Sequence, residues 1–159
     1  MTTYRFNEAR FWAKVTKTDT CWNWTGCATK GYGMSRAWRD DKYTMVLSHR
    51  LSYYAARGEC PDDMYVDHVC HNPACVRPEH LRLVTNKQNS ENVLGAQSNS
   101  ESGIRGVRWE SKSKRWRARV THNRQCIEVG YFDTAQAAAD AVKAKRNELF
   151  THNDLDRVA

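Results

Sequence analysis

Between Tyr65 and Val93 the chain reads YVDHVCHNPACVRPEHLRLVTNKQNSENV, and a few side chains there are suited to one kind of chemistry. Asp67 and His68 stand side by side at the end of a short apolar run. His80 follows twelve residues later, ahead of a second run from Leu81 to Thr85, and Asn89 comes nine residues after that, in a polar stretch from Asn86 to Asn92. A carboxylate and an amide oxygen brought together form a hard, oxygen-only, half-filled site of the kind Mg²⁺ prefers, with room for water and a substrate phosphate. An imidazole near its ordinary pKa beside such an ion can take a proton from an attacking water at neutral pH.

The elements that must position these groups read as strand, loop, strand, helix. Alternate side chains of a strand face opposite sides, so Asp67 and His68 serve one pocket only if the strand ends or bulges there, and the helix must carry Asn89 back across the hairpin. The loop between the strands holds Cys70 and Cys75 and has little apolar surface with which to fix itself. A structural zinc held by four Cys or His ligands would fix it. Cys21 with His49 is the preferred completion of that set, and His71, Cys27 and Cys60 are other candidates for the fourth place.

The pattern DH, then a His just before Leu-Arg-Leu-Val-Thr, then the Asn of QNSEN, resembles the His-Asn-His (HNH) endonuclease family, especially its phage and intron-encoded homing branch. The resemblance implies a ββα-metal unit in which Asp67 and Asn89 hold the catalytic ion and His68 is the general base. His80 falls at the middle position, where the family often places an Asn that orients the base. Phage relatives in this branch keep CW-x-W-x-G, HR and C-x₄-C elements together, which supports a zinc set of Cys21, His49, Cys70 and Cys75. Arg77, Arg82 and Lys87 are available as phosphate clamps.

Composition points to two parts. Up to Leu94 there are 13 Lys+Arg against 10 Asp+Glu, whereas Ile104 to Arg124 has eight basic residues against the single acid Glu110, a local excess equal to the net +7 of the whole chain. So concentrated a basic patch is the footprint of a polyanion partner, most simply nucleic acid. No apolar run approaches the roughly 18 residues that span a bilayer, and MTTYRFNEAR has no signal-peptide core, so a cytoplasmic protein is expected. In that reducing setting six cysteines read as thiols or metal ligands rather than disulfides.

In chain order, Asn7 can cap a short helix bearing Phe11 and Trp12. Gly31 to Trp38 and Tyr43 to Leu47 read as a β-hairpin, and Ser48 as the cap of a helix that Gly58 ends. The expected division is residues 1–94 as the first domain, 95–103 (GAQSNSESG) as a flexible linker, 104–150 as the second domain and 151–159 as a frayed tail. The second domain shows three short strands and a helix from Thr134 to Phe150. Arg115, Arg117 and Arg119 alternate with Trp116, Ala118 and Val120, which puts the guanidiniums on one sheet face and the apolar groups on the other.

RGVR at 105–108, WRARV at 116–120, VGYF at 129–132 and DTAQAAADAV at 133–142 resemble the Apetala-two type DNA-binding domain of plant ethylene-response factors. The resemblance implies a three-stranded antiparallel sheet packed on one helix. Arg105 and Arg108 fall where that family's sheet reads bases in the major groove, with Trp109 and Arg119 as further candidates and Arg115 and Arg117 on the same sheet. Glu128 and Cys126 stand where the plant domains place tryptophan and arginine, so their target sequence does not carry over. The fold class expected is therefore α+β, and the function a Mg²⁺-dependent homing endonuclease of double-stranded DNA, acting as a monomer that nicks or a homodimer that cuts both strands. The rival expectation is a non-catalytic, zinc-stabilised transcriptional regulator.

Overall fold

The computed structural model describes residues 2–93, 95–96 and 98–157. Leu94, at the end of the expected first domain, Gln97, in the expected linker, and Val158 and Ala159, in the expected tail, lie outside the described residues. The chain divides into two compact units, residues 1–86 and 87–159, each with its own core.

The first unit starts with β1 (Tyr4–Arg5) and α1 (Glu8–Trp12). Asn7 caps α1 by accepting from the Arg10 N–H at 2.8 Å. Then come β2 (Val15–Lys17), β3 (Trp22–Trp24), β4 (Ala28–Thr29), β5 (Tyr32–Arg39) and β6 (Lys42–Leu47). β5 pairs antiparallel with β1, β4 and β6, and Asp40, with φ 51°, takes the left-handed conformation in the tight turn between β5 and β6. Ala37 and Val46 face the core, where Trp24 lies against Gly26 and Gly33; a Cβ at Gly33 would stand 2.6 Å from the indole.

Helix α2 (Ser48–Arg57) buries Ser48, His49, Leu51 and Ser52 and ends at Gly58 in the left-handed conformation that glycine accepts most easily. The expected capping role of Ser48 is not found. Leu47 is the N-cap, and the Ser48 hydroxyl is buried within the first turn without a partner among the described residues. β7 (Tyr65–His68) and β8 (Leu81–Val84) form an antiparallel pair in which Asp67 faces Arg82 and His68 faces Leu81. A 3₁₀ turn, Pro78–His80, precedes β8, with proline at its start where no N–H is needed. Helix α3 (Asn86–Glu91) follows β8, and all but its first residue falls in the second unit.

The second unit continues with β9 (Val107–Glu110), β10 (Arg115–His122) and β11 (Gln125–Phe132) in the sheet order β11-β10-β9, then α4 (Ala135–Leu149) and α5 (Asp154–Arg157). Thr134 caps α4 by accepting from Ala137 N–H. Ala138 and Val142 of α4 bury against Val107, Ala118 and Val120 of the sheet. Gly106, at φ 84°, has no room for a side chain, because a Cβ would meet the Arg119 carbonyl at 2.4 Å.

The tail is not frayed over its described part. The Glu91 carboxylate accepts from the Thr151 N–H at 2.9 Å, Asn153 is buried and donates to Asn147, and Asp156 pairs through both oxygens with Arg146. These side chains replace the apolar anchor that the sequence of this segment lacks.

Candidate active site and metal centre

Cys21 Sγ, Cys70 Sγ, Cys75 Sγ and a His80 ring nitrogen all lie within 4.8 Å of one another. His80 Nδ1 is 3.8 Å from Cys21 Sγ and 3.7 Å from Cys75 Sγ. Zinc with bonds of about 2.3 Å to sulfur and 2.0–2.1 Å to nitrogen has tetrahedral ligand edges of roughly 3.5–3.8 Å, so the donor set fits zinc in both chemistry and spacing. His80 takes the place expected for His49. His71 and Cys27 also stay outside the cluster, and Cys60 is a buried core thiol. The signal for His80 was present, since Cys70, Cys75 and His80 recur at equal five-residue steps.

Local bonding explains how distant Cys21 arrives. β3 is stitched to the cysteine loop by Trp24 N–H to Ala74 O at 2.9 Å and Val76 N–H to Trp22 O at 2.7 Å, with Asn72 donating to the Asn23 side chain at 2.7 Å. Arg77 donates to the carbonyls of Asp19 and Thr20, which pins the segment just before Cys21. Arg77 therefore tethers this segment through its guanidinium. Burial raises the Cys75 thiol and pushes that of Cys70 up to about 12, so both hold protons at neutral pH until a cation displaces them.

His68 is buried, and its Nε2 lies 2.9 Å from the backbone carbonyl of Cys75. A carbonyl can only accept, so Nε2 carries the proton and Nδ1 the lone pair. Burial, together with neighbouring His71 and His80, lowers the His68 pKa, which keeps the ring neutral at pH 7. A neutral imidazole fixed in one tautomer is the form that can take a proton from water. The group that fixes it is a main-chain carbonyl of the metal loop.

His49, expected as a zinc ligand, packs edge-on against His68 with ring centroids 4.7 Å apart, and Tyr32 of β5 lies 6.0 Å from His68 and 5.7 Å from His49. Burial, followed by its proximity to His68 and Arg50, drives the His49 pKa down to about 3. Its Nδ1 is buried without a partner among the described residues. Asp67 accepts at Oδ2 from Arg82 Nε at 3.1 Å and Nη2 at 3.0 Å. Asn89 stands in α3, in the second unit.

On the sheet of the second unit, Arg108, Arg115, Arg117 and Arg119 share one face with Glu110 by register and alternation, opposite the buried Val107 and Ala118. Acids cover much of that face. Arg117 is bidentate to Glu128, Arg115 donates to Asp133 at 3.0 Å, and Arg108 lies 3.7 Å from Glu110. Arg119 makes no ion pair among the described residues. Trp109 is paired with Trp116 on the other face, at the margin of the core. Arg105 is not on the exposed face at all, because its guanidinium donates to the carbonyls of Ser90, Glu91 and Val93 and so closes the C-terminal end of α3. Three of the five guanidinium N–H groups of Arg105 are thus committed to these carbonyls.

Residues 46–91, which include α2, Asp67, His68, three members of the metal cluster and Asn89, match the family model for HNH endonucleases. The chain is 40% identical over 86 residues to Protein 7.7 of Escherichia phage T7, covering 52% of this chain and 63% of that one. It is 37% identical over 81 residues to Protein 2.8 of the same phage, covering 51% and 53%. An uncharacterised HNH endonuclease of Acanthamoeba polyphaga mimivirus is 34% identical over 103 residues, covering 64% and 52%. The chain thus spans between about half and two thirds of the length of these relatives. No solved structure matches it.

Proposed function

We propose that this chain is a metal-dependent, site-specific endonuclease of double-stranded DNA, of the homing type found in phage. The observation that carries the reading is the buried, neutral His68, locked in one tautomer by the Cys75 carbonyl, inside the segment that matches the HNH endonucleases. His68 takes the proton of the attacking water at Nδ1, and Cys75 O and the edge of His49 hold the ring in place. Asp67 and Asn89, assigned by their positions in the family pattern, would hold Mg²⁺. When bound, that ion supplies charge stabilisation at the scissile phosphate and the departing 3′ oxygen. Zinc on Cys21, Cys70, Cys75 and His80 is structural. It holds the loop that presents Cys75 O.

The sheet of β9–β11 supplies DNA contacts, with Arg108, Arg115, Arg117 and Arg119 on its exposed face. Exposed ion pairs are worth about 0–1 kcal/mol, so phosphates can displace Glu110, Glu128 and Asp133 from these arginines at little cost. One active site per chain nicks one strand, and a homodimer cuts both. The relatives in phage T7 and a giant virus support a setting in an infected cell.

The test is cleavage of supercoiled plasmid carrying candidate phage or host loci, with Mg²⁺, beside His68→Ala and a chelator control. Nicked or linear DNA that requires both the metal and His68 supports the reading. Steeply salt-dependent DNA binding without cleavage on any locus would favour a regulator instead, and the Mg²⁺ assignment would be withdrawn.

A further inference from the structure

The first unit carries a basic groove of its own, apart from the basic sheet of the second unit. It is a groove of about 900 Å³ lined by residues of β1, α1, β5 and β6, and no carboxylate lines it. Arg5, Arg10, Lys14 and Arg36 line it and are all exposed. Arg10 and Arg36 make no ion pair among the described residues, and Arg5 has only a loose 3.7 Å contact with the fully exposed Asp41. The floor is aromatic and apolar. Trp38 and Tyr43 are direct cross-strand partners, 5.4 Å apart, exposed by 44% and 55%, and the Arg5 guanidinium lies 5.7 Å over the Trp38 ring.

Position along β5 connects this groove to the active site. Tyr32, Met34, Arg36 and Trp38 alternate onto one strand face, while Gly33 and Ala37 turn inward. Tyr32, at one end, lies against His68; Trp38, at the other, floors the groove. Six residues of strand span about 20 Å, which is roughly six base pairs of duplex at 3.4 Å each.

We propose that this groove is a second DNA-contact surface, which grips the phosphate backbone of the same duplex about six base pairs from the bond at His68. This rests on the nuclease reading for the identity of the partner. Cations at the rim meet phosphates, and the Trp38–Tyr43 floor packs on the sugar edge between them. A protein partner would leave Arg10, Lys14 and Arg36 without counter-charges unless it were acidic, whereas duplex DNA supplies phosphates at a fixed repeat.

The experiment compares full-length protein with Arg10→Gln/Arg36→Gln, both side chains being exposed, and with a charge-matched control, Arg57→Gln/Lys145→Gln, outside the groove. Binding to a random-sequence duplex is followed by fluorescence anisotropy across a salt series, with chelator present so that nothing is cut. Each lost phosphate contact lowers the slope of log affinity against log salt by about 0.9, so the groove variant should lose about 1.8 and the control less than half of that. Trp38→Ala, which removes no charge, should weaken binding several-fold at unchanged slope. An unchanged slope in Arg10→Gln/Arg36→Gln, or an equal loss in the control, overturns the proposal. So does binding by that variant that is lost for anionic vesicles but kept for DNA. Plasmid cleavage by the same preparations separates the two readings: cutting with an unchanged slope sinks the groove alone, and a lowered slope without cutting sinks the nuclease alone.

Discussion

One Zn²⁺ per chain should bind with the release of at least two protons at pH 7. The perturbation is metal removal by chelator under reducing conditions, followed by titration of zinc back into the protein. The magnitude comes from the site. Burial raises the thiols of Cys70 and Cys75, that of Cys70 to about 12, so both are protonated in the metal-free protein, and each must become a thiolate to ligate. Calorimetry in two buffers of different ionisation enthalpy counts the protons directly. Two protons also make apparent affinity rise about a hundredfold per pH unit through neutrality. His80→Ala should weaken zinc severely, and His49→Ala should leave stoichiometry and proton count unchanged, because His49 lies against His68 rather than in the cluster. Release of fewer than one proton, a stoichiometry other than one, or loss of zinc in His49→Ala would refute the assignment.

Further consequences concern stability. Gly33→Ala puts a methyl 2.6 Å from the buried Trp24 indole and should destabilise the first unit by about 1–3 kcal/mol in urea unfolding. Arg105→Met leaves the carbonyls at the end of α3 without their donor and should cost the second unit about 1–3 kcal/mol, while the salt slope of DNA binding stays unchanged. For Asp156, burial acts to raise the carboxyl pKa, but the hydrogen bonds and charge of Arg146 overcome it and hold the group below its ordinary value. A depressed carboxyl contributes stability above its unfolded pKa of about 3.9 and loses it as pH falls further. The stability gap between wild type and Asp156→Asn should therefore be present at pH 7 and close in strongly acid solution.

What the sequence disclosed follows from which interactions are local. The Asn7 and Thr134 caps, the glycine stop at Gly58 and the hairpin around Asp40 were legible because each depends on a few neighbouring residues. The alternation of Arg115, Arg117 and Arg119 with buried Ala118 and Val120 was legible for the same reason. The fourth member of the metal cluster is His80 and not the expected His49: the five-residue steps of Cys70, Cys75 and His80 mark it locally, whereas the placing of His49 against His68 depends on tertiary packing of α2 that no local pattern carries. Residue type alone does not show that the Arg105 guanidinium donates to carbonyls of α3 and that of Arg77 to carbonyls before Cys21, because a carbonyl partner leaves no mark in sequence. The anchored segment 151–157 escaped notice because buried polar pairs hold it, where an apolar stripe would have been visible.

The proposed role of His68 as the base can be tested through the group that orients its ring. His80, which falls at the middle position of the HNH pattern that the sequence resembles, has its ring in the candidate metal cluster. The orienting acceptor is instead Cys75 O, a group that every residue possesses, aimed by the loop that the zinc would close. Since Nε2–H is committed to that carbonyl, only Nδ1 can receive a proton. A glutamine at this position reaches the place of Nε2 and can donate to the carbonyl, but it brings no base, whereas an asparagine reaches the place of Nδ1 and leaves Cys75 O without its donor. His68→Gln should therefore keep near wild-type zinc affinity and unfolding midpoint while cleavage falls by about 10²–10⁴, the usual contribution of a general base. His68→Asn should lose cleavage and stability together, by about 1–3 kcal/mol for the buried carbonyl left unpaired. Equal stability losses in the two variants would mean that the carbonyl does not fix the ring, and near wild-type cutting by His68→Gln would mean that the base lies elsewhere.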